Sequence, residues 1–417
     1  MSDLHSQICK AIAAHGGRAY LVGGCVRDRL LGIPSLDIDC EVHGMEQSAL
    51  YALLASFGGV DTSGERFGVY TLKEYDFDFA LPRVERLTGS AHTDFEVTPI
   101  PTLSPKEAVA RRDFTVNAIM MDALTGEIID PYGGAEDLKN GVLRAVPGGK
   151  FCEDPLRVLR GAQFASRFSL TPDAETLAMM RHMPLHGLSA QRVLSETKKA
   201  LLGAQRPGVY LDILRDANAL TPWFKELSEG DASAYAAESL NRAALLRERA
   251  KDPLALMLAA MVYWLSTEDV DNLLTRLCVG KNTAALCKSL SEGFKAMRRG
   301  DRHPVLVMDG CACAQDLALL CVACGMDEAM MMERLRQYEA AASRPMPTGR
   351  MLLAAGAMPG PGMKRILAEA RECVLLGMDT DEAIRMAIAK TKEPSPFGKV
   401  DAKRTDEVLP AGDEVQR

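Results

Sequence analysis

The spacing of hydrophobic and polar residues changes once along the chain, at about residue 145. Before that point, the alternating segments DIDCEV and FGVYTLKEYDFDFAL predict strands, and Leu4–His15 and MEQSALYALLASF have the spacing of helices. Beyond Glu153, long segments rich in Leu, Ala and Met are separated by Pro and Gly. These patterns predict an α+β fold class, in which a head of strands and helices precedes an all-helical remainder.

The length and composition are those of a globular protein with more than one domain. The chain has 417 residues, of which 47% are hydrophobic and 25% are charged, so it can bury a sizeable core. The net charge is −7, and any nucleic-acid binding must therefore depend on local basic patches. The polar end of the chain, 393–417, contains Pro and Gly and is predicted to be disordered.

The sequence predicts a cytoplasmic location. The N-terminal segment MSDLHSQICK lacks the apolar region of a secretory signal. The longest apolar run, Leu254–Leu265, is too short to span a bilayer and predicts a buried helix, so no membrane partner is expected. Eleven cysteines in such a chain indicate a reducing compartment and free thiols.

The clearest candidate chemistry lies in YLVGGCVRDRLLGIPSLDIDCEVHG, where two aspartates are separated by one apolar residue. If 36–42 is a strand, Asp37 and Asp39 project from the same face and Ile38 packs on the other. Two close carboxylates raise each other's pKa unless a cation lies between them, and Mg²⁺ suits such oxygen ligands. The alternative is a pair of solvated aspartates on an edge strand.

A further carboxylate is available in EYDFDFALPR. Its alternation puts Asp76 and Asp78 on one face of a strand and packs Phe77 and Phe79 behind them. Either aspartate could complete a metal site, whereas the alternative is a half-exposed strand with acidic outer positions.

The segment LVGGCVRD predicts a strand, a Gly-Gly turn and the start of a helix. Glycines such as Gly24 let a phosphate approach the backbone, and a helix N-terminus favours anions. Arg27 is predicted in the first helical turn, which is unfavourable for a cation unless the cation holds a triphosphate. The G-x-G-x-x-G dinucleotide motif and the Walker G-K-[ST] motif are both absent.

Five motifs in order carry a family resemblance: GGCVRDRLLG…DID, FDFALPRVER, RRDFTVNAI, DPYGGAEDLKNGVLR and EDPLRVLRGAQFASRF. Together they resemble class II tRNA nucleotidyltransferases and bacterial poly(A) polymerases of the polymerase-beta-like nucleotidyltransferase superfamily. The resemblance covers roughly 20–170, and LSAQRVLSETKKALL is similar to the helix that follows in the family. It implies a nucleotidyltransferase head with a mixed sheet (1–145), a helical neck that reads the base (146–205), a helical body (206–320) and a helical tail (321–392).

In RRDFTVNAI, the resemblance implies that Arg112 grips the nucleotide and that Asp113 contacts the ribose or supports the fold. An N-terminal helix cap is an equally good interpretation of Asp113, and Asn117 follows one turn later. In DPYGGAEDL, a turn that leads into a short helix, Asp130 and Gly134 are interpreted as mainly architectural.

The segment EDPLRVLRGAQ carries the prediction for base selection. Pro155 suits a first helical turn, and Asp154 and Arg157 are three residues apart on one face. An aspartate can accept from the exocyclic amine of C or A but opposes the carbonyl oxygen of U or G. The alternative is a surface salt bridge between the two residues. Arg160 is predicted to hold phosphate, and many relatives have arginine where this chain has Gln163.

The resemblance implies template-independent addition of C, C and A to tRNA 3′ ends from CTP and ATP. Two Mg²⁺ ions would be held by Asp37 and Asp39, with Asp78 as a further catalytic carboxylate. The alternatives are a poly(A) polymerase, an A-adding tRNA nucleotidyltransferase, a non-catalytic RNA-binding protein and a nucleotide-binding metabolic enzyme. The segment 84–98 resembles the flexible loop that supports the switch from C to A, which argues against an enzyme that adds only CC.

The second half of the chain offers weaker signals. The four cysteines of CACAQDLALLCVAC have an unusual spacing in an apolar helical segment, so no zinc is expected. The His-Asp clusters of a phosphohydrolase domain are absent, so no second catalytic centre is predicted. Basic residues around a Pro-Gly turn are candidates for contacting tRNA phosphates, although a solvated helix–turn–helix is an equal alternative; they are Arg344, Arg350, Lys364 and Arg365. The segment 294–303 is another candidate basic patch.

Overall fold

The structure is a computed structural model, which describes residues 3–34, 38–73, 77–87, 95–148 and 150–392. The chain divides into two compact units. The first consists of Met1–Arg302 and Gly310–Met332, and the second of His303–Asp309 and Glu333–Arg417. The predicted boundaries between head, neck, body and tail stay a prediction.

The strands of the described residues lie in the head and at the start of the helical region. They are β1 Arg18–Val22, β2 Ile38–His43, β3 Val60–Asp61, β4 Val69–Leu72, β5 Phe77–Ala80, β6 Arg83–Leu87, β7 Phe95–Pro99, β8 Met120–Asp122, β9 Ile128–Ile129, β10 Val142–Leu143 and β11 Thr171–Pro172.

Helices account for most of the remaining described residues. They are α1 Asp3–Ala14, α2 Gly24–Leu30, α3 Gln47–Ala55, α4 Pro105–Val109, α5 Gly134–Lys139, α6 Leu156–Phe168, α7 Ala174–Arg181, α8 Ala190–Gly203, α9 Gly208–Asp216, α10 Ala232–Ala244, α11 Pro253–Val262, α12 Thr267–Arg276, α13 Lys281–Arg299, α14 Pro304–Gly310, α15 Ala314–Ala323, α16 Glu328–Ala342, α17 Gly349–Ala354, α18 Met363–Leu375 and α19 Thr380–Lys392.

The central sheet of the head is mixed. Its strand order is β3-β4-β5-β2-β1-β8-β9. β2 and β5 run parallel, whereas the other neighbouring pairs run antiparallel. The predicted α+β fold, with a mixed-sheet head followed by helices, is therefore confirmed.

Helices α1 and α3 cover one face of this sheet. Ile8 and Ile12, one turn apart on α1, are buried against the sheet together with Leu50 and Leu54 of α3 and Phe79 of β5. Burying each of these side chains stabilises the fold by about 1.5–3 kcal/mol relative to leaving it exposed. Because strand side chains alternate, the residues beside Phe79 on β5 are directed away from this core.

The segment 84–98 is not a loop throughout, which corrects the prediction. β6 and β7 form an antiparallel hairpin in which Arg83 is aligned with Pro99 and Leu87 with Phe95. The β-branched and aromatic residues of VERL and FEVTP favour strands, so the pairing extends to Leu87 and Phe95. The part of the predicted loop that lies outside these two strands is 88–94, and these residues are not among those that the structure describes.

The helical part of the first unit contains the predicted apolar helix. α11 begins at Pro253, and the Asp252 side chain caps it by accepting from the Ala255 amide. All residues from Ala255 to Val262 are buried, which confirms the predicted buried helix. Within the described residues, no single helix is long and apolar enough to cross a membrane; one pair of shorter helices, α14 and α15, meets that test together by length and composition only.

The second unit has its own small core. Leu352 of α17, Ile366 and Ala370 of α18, and Ile384 and Ile388 of α19 are buried together. α17 and α18 flank the predicted Pro-Gly turn, so the basic residues of that segment are carried by a packed helical structure.

Candidate active site

Two carboxylates lie side by side on the face of the sheet opposite to α1 and α3. In the parallel pair β2–β5, Asp39 is aligned with Asp78 and Cys40 with Phe79. Cys40 and Phe79 are buried in the core on the other face, so the alternation directs both aspartates away from that core. The fold thus brings Asp39 and Asp78 together from segments that are 39 residues apart in sequence.

The orientation of Asp78 is fixed by its neighbour on β4. Thr71 is its antiparallel partner, and the Thr71 hydroxyl donates to Asp78 Oδ1 at 2.5 Å. Both aspartates offer carboxylate oxygens, the hard ligands that Mg²⁺ prefers, so this pair fits such an ion. The other two predicted carboxylates, Asp37 and Asp76, lie outside the described residues.

Arg112 lies close to the Gly-Gly turn that follows β1. Gly23 has a φ of 73° and precedes α2, and a Cβ atom at Gly23 would lie 2.6 Å from Arg112 Nη1. The backbone conformation therefore requires a glycine, and the missing side chain lets the guanidinium approach. Gly24 is the first residue of α2, as the predicted turn requires.

Arg27 is not in the position that the dipole argument assumed, which is a correction. α2 has only seven residues, and Arg27 belongs to its last turn, where a cation is favourable. Its side chain is 6% exposed; Nη1 donates to Asn117 Oδ1 at 2.7 Å, and Nη2 donates to Asp28 Oδ1 at 2.6 Å. Its Cζ also lies 4.1 Å from the centre of the Phe168 ring. The triphosphate contact of Arg27 stays a prediction.

Asp113 extends this buried network from the head to α6. Its Oδ1 accepts from the Phe114 amide at 2.8 Å and from Asn117 Nδ2 at 3.0 Å, and its Oδ2 accepts from Arg160 Nε at 2.7 Å. Burial alone would raise the pKa of Asp113, but the Arg160 charge and these hydrogen bonds outweigh it and lower the pKa. Both oxygens are thus occupied by protein donors and the side chain is only 7% exposed, which favours the fold-supporting interpretation of Asp113.

We expect Asp113→Asn to lower the free energy of unfolding by about 2–3 kcal/mol, since it leaves Arg160 without its charged partner. This is below the usual range for a fully buried pair because the Arg160 side chain is 32% exposed. The pKa of Asp113 in the folded protein lies below its ordinary value of 3.8. The contribution of Asp113 to stability is therefore fully present above pH 3.8, and it is lost only as the pH falls through the folded-state pKa.

Urea unfolding at pH 5 and pH 8 should therefore give the same difference between wild type and Asp113→Asn. Asp212, whose side chain is 38% exposed, pairs with Arg215, and Asp212→Asn is the control, with an expected change below about 0.5 kcal/mol. A difference that disappears at pH 5 would contradict the assigned charge of Asp113.

Most of the predicted nucleotide-binding residues line a cleft between the head and α6. Its volume is about 270 Å³, and its lining comprises Arg111, Arg112, Asp113, Asp154, Leu156, Arg157, Arg160 and Arg192. Two larger cavities of about 640 and 420 Å³ lie elsewhere, but none of the predicted site residues lines them. The chemistry of the lining, with five arginines, therefore selects the smaller cleft as the candidate site for a polyanion.

Asp154 and Arg157 both line the cleft but do not pair with each other, so the alternative of a surface salt bridge between them is wrong. Asp154 Oδ2 accepts from Arg192 Nη2 at 2.9 Å. Arg157 donates from Nη1 to the Lys150 carbonyl at 2.6 Å and from Nη2 to the Arg111 carbonyl at 2.7 Å. Main-chain acceptors thus fix the Arg157 guanidinium, and Pro155 lies just before α6.

The guanidinium nitrogens Arg112 Nε and Arg192 Nη1 are buried in this cleft and have no hydrogen-bond partner within the described residues. A buried donor that loses water without gaining an acceptor costs about 1–3 kcal/mol. Acceptor atoms of a bound ligand would remove that cost, which makes the cleft a suitable site for a phosphorylated molecule.

Residues 19–144 match the family described as “Poly A polymerase head domain”. The head domain contributes Asp39, Asp78 and Arg112 to the candidate site and contains four of the five motifs of the resemblance, all but EDPLRVLRGAQFASRF.

A curated protein is similar to about half of this chain. The Multifunctional CCA protein of Stenotrophomonas maltophilia (strain K279a) is 42% identical over 217 residues, which are 50% of this chain and 52% of that relative. The chain thus matches about half the length of such curated relatives.

Solved structures of similar fold match nearly the whole chain. The Bacillus stearothermophilus CCA-adding enzyme in complex with CTP has a TM-score of 0.70 at 21% identity, covering 94% of this chain and 98% of that one. The Thermotoga maritima CCA-adding enzyme complexed with tRNA has a TM-score of 0.70 at 20% identity, covering 94% and 95%. At these identities the likeness establishes a common fold.

Three residues near the head domain's cleft were missed from the sequence. Arg111 and Arg192 line the cleft, and Glu41 is 2% exposed with its Oε1 3.0 Å from His43 Nε2. Burial would raise the pKa of Glu41, but the His43 hydrogen bond and the Arg112 charge lower it. The alternation D-I-D-C-E already places Glu41 on the face of Asp39, whereas nothing local predicts the contact of Arg192.

The turn after β9 is architectural, as predicted. Asp130 accepts from the amides of Gly134 and Ala135, both at 2.8 Å. A Cβ atom at Gly134 would lie 2.0 Å from the Thr115 carbonyl oxygen, so no other residue fits.

On α6, Gln163 is 1% exposed, and its Nε2 has no hydrogen-bond partner among the residues that are described.

A second group of ligand atoms lies in the head domain's core, away from the cleft. One ligand atom each of His5, Cys9 and Cys40 lies within 4.8 Å of the others, and all three residues are buried. Hydrogen bonds to Cys40 and His5 lower the pKa of the Cys9 thiol to about 6 despite its burial. These soft ligands do not suit Mg²⁺, and their mutual hydrogen bonds with the packing of His5 on Phe77 and Phe79 account for the cluster.

The remaining candidates lie in the second half of the chain. Cys313 caps α15 by accepting from the Asp316 amide, and Cys321 is buried in that helix; all eleven cysteines are free thiols. The predicted tRNA-contacting residues are exposed, and they are Arg344, Arg350, Lys364 and Arg365.

Proposed function

We propose that this protein adds C, C and A to the 3′ ends of tRNA, using CTP and ATP without a nucleic-acid template. The observation that carries the proposal is the cleft, in which Arg112 of the head domain faces Asp154 and Arg157 at the start of α6. The names of the curated relatives and the ligands in the two structural neighbours support the same activity.

In the proposed reaction, the 3′-hydroxyl oxygen of tRNA attacks the α-phosphorus of the nucleotide. A new P–O bond forms, the bond between the α-phosphorus and its bridging oxygen breaks, and pyrophosphate leaves. Arg112 and Arg160 hold the triphosphate, and Asp113 orients Arg160 through the 2.7 Å bond to its Nε. Asn117 supports both Asp113 and Arg27 from behind the site. No side chain acts as a nucleophile, because positioning and charge stabilisation account for such transfers.

Divalent metals are general in this family of nucleotidyltransferases, and we propose that Asp39 and Asp78, together with Asp37, hold two Mg²⁺ ions. When bound, these ions would lower the pKa of the 3′-hydroxyl and balance the negative charge of the leaving pyrophosphate. The parallel register of Asp39 and Asp78 supports this assignment.

We propose that Asp154 and Arg157 select the base by hydrogen bonding. Asp154 presents a carboxylate that can accept from the exocyclic amine of C or A, and Arg157 offers donors to the neighbouring ring acceptors. Because main-chain carbonyls fix Arg157 on one side, its remaining N–H groups are preorganised for the base.

tRNA is the proposed partner, and the second unit supplies candidate phosphate contacts. Arg350 is exposed at the start of α17, and Lys364 and Arg365 are exposed in the first turn of α18, directly after the Pro-Gly turn. Arg344 is exposed too, although its Nη1 donates to the Val374 carbonyl at 3.2 Å.

Deleting Gly89–Asp94 is expected to preserve C addition and to impair addition of the terminal A. This segment is polar, contains Gly, and lies in sequence between β6 and β7; the resemblance implies that this region supports the switch from C to A. The measurement is single-turnover addition of C and of A to tRNAs that end one nucleotide before each step.

The first C addition by the same preparation is the internal control for this deletion. Equal loss of C and A addition would show that the segment acts in folding instead.

The proposed function is tested by incubating the purified chain with Mg²⁺, one NTP at a time, and a tRNA that lacks its 3′ CCA. We expect incorporation of CMP from CTP and exclusion of UMP and GMP. Incorporation of AMP alone into many RNAs would instead favour a poly(A) polymerase, and incorporation of none would exclude a catalytic role.

A further inference from the structure

The two oxygens of the Asp154 carboxylate have different partners. Oδ1 accepts from the Leu156 amide at 3.0 Å, a bond within the same turn. Oδ2 accepts from Arg192 Nη2 at 2.9 Å, and Arg192 is 38 residues away on α8. Only the second bond joins two oppositely charged groups, so it is the stronger constraint on the direction of the carboxylate.

Arg192 is itself held firmly at the start of its helix. The Ser189 hydroxyl caps α8 by accepting from the Arg192 amide at 3.4 Å, and the next residue, Val193, is fully buried. The Arg192 side chain is 29% exposed and that of Asp154 is 25% exposed, so the pair is neither fully solvated nor sealed from a ligand in the cleft.

The nearby cations on α6 do not replace Arg192 in this role. Arg157 is bonded to two main-chain carbonyls, and Arg160 is bonded to Asp113. Without Arg192, the Asp154 carboxylate would keep only its bond to the Leu156 amide. It could then rotate, or draw Arg157 away from the position in which it meets the base.

We infer that Arg192 is a positioning residue for base selection, which acts by holding Asp154 in the orientation that accepts from the amine of C or A. This inference rests on the proposed function and extends it to α8, the third helix of the predicted neck. Arg192 would therefore change which nucleotide is chosen more than how fast the chosen nucleotide reacts.

The experiment compares kcat/KM for CTP, ATP, UTP and GTP on a tRNA ending before its CCA, with Mg²⁺ present. The variants are Arg192→Ala, Arg192→Met, which keeps the apolar stem, Arg192→Lys, Asp154→Ala and the double variant Asp154→Ala/Arg192→Ala. Arg181→Ala is the matched control, because Arg181 is an exposed arginine on α7 that donates to the Asp216 carbonyl outside the cleft.

We expect Arg192→Ala and Arg192→Met to reduce the preference for CTP over UTP by about tenfold, the lower end of the effect of a good base contact. Arg192→Lys should recover part of the preference, since it keeps the charge but not the planar fork. The double variant should discriminate between CTP and UTP no worse than Asp154→Ala does, because Arg192 acts through Asp154. Arg181→Ala should retain the wild-type preference.

Three results would overturn the inference while leaving the proposed function intact. If kcat/KM falls equally for all four NTPs and thermal stability falls with it, Arg192 only stabilises the neck. If KM rises equally for all four NTPs with unchanged stability, Arg192 contacts the triphosphate directly. If the double variant discriminates worse than Asp154→Ala, Arg192 acts independently of Asp154. A wild-type enzyme that adds no nucleotide to tRNA would instead refute the proposed function.

Discussion

Asp39→Ala is expected to reduce nucleotide incorporation into tRNA by roughly a thousandfold while leaving the fold intact. The physical reason is the loss of a metal ligand, since a bound divalent ion contributes several kcal/mol to the transition state, and each 1.36 kcal/mol corresponds to about a factor of ten. Thermal stability without Mg²⁺ should hold or rise slightly, because Asp39 and Asp78 are aligned on neighbouring strands and like charges in that arrangement repel.

The control is Asp61→Ala, which removes a carboxylate from β3 of the same sheet, outside the cleft. The Asp61 carboxylate accepts from the Ser63 amide at 2.8 Å and has no proposed part in the reaction. Both variants would be compared by single-turnover addition of C and by thermal unfolding with and without Mg²⁺. An Asp39→Ala protein that extends tRNA at nearly the wild-type rate would contradict the metal assignment.

The second large effect concerns the choice of base. Asp154→Ala removes the acceptor for the exocyclic amine and the group that opposes the carbonyl oxygen of U and G. Discrimination against UTP should fall by about 1–3 kcal/mol, which is roughly tenfold to a hundredfold in relative kcat/KM. Activity with CTP and ATP should fall too, whereas Mg²⁺ binding at Asp39 and Asp78 should not change.

The measurement is kcat/KM for all four NTPs on a tRNA that ends before its CCA. Asp173→Asn is a suitable control, since Asp173 caps α7 by accepting from the Thr176 amide and lies outside the cleft. If Asp154→Ala is slower with CTP yet excludes UTP as strictly as wild type, hydrogen bonding does not select the base. Selection would then have to depend on the shape of the pocket or on the RNA.

Periodicity was sufficient to predict the fold class because local spacing determines which face of an element is buried. The alternation of FGVYTLKEYDFDFAL predicts the antiparallel pair β4–β5, and the apolar run 254–265 predicts the buried α11. The alternation of DIDCEV likewise places Asp39 and Glu41 on one face of β2. The alignment of Asp39 with Asp78 depends instead on the pairing of β2 and β5, which no local pattern specifies.

Long-range polar contacts were the features that the sequence could not predict. A salt bridge between Asp154 and Arg157, three residues apart, was the alternative to base selection, but the α6–α8 packing pairs Asp154 with Arg192. Arg27 was assigned to a triphosphate from its expected helical position, but the short α2 and the approach of α6 enclose it between Asp28, Asn117 and Phe168. In both cases, tertiary packing determines which groups contact the charged side chain.

The central claim is that one site adds C, C and A in that order and then stops. It is tested most directly by sequencing the RNA after the purified chain, Mg²⁺, CTP and ATP have reacted to completion with a tRNA that lacks its 3′ CCA. The account predicts a product extended by three nucleotides, C, C and A, with no further growth on longer incubation. A run of A residues, extension by A alone, or an unchanged tRNA would contradict it.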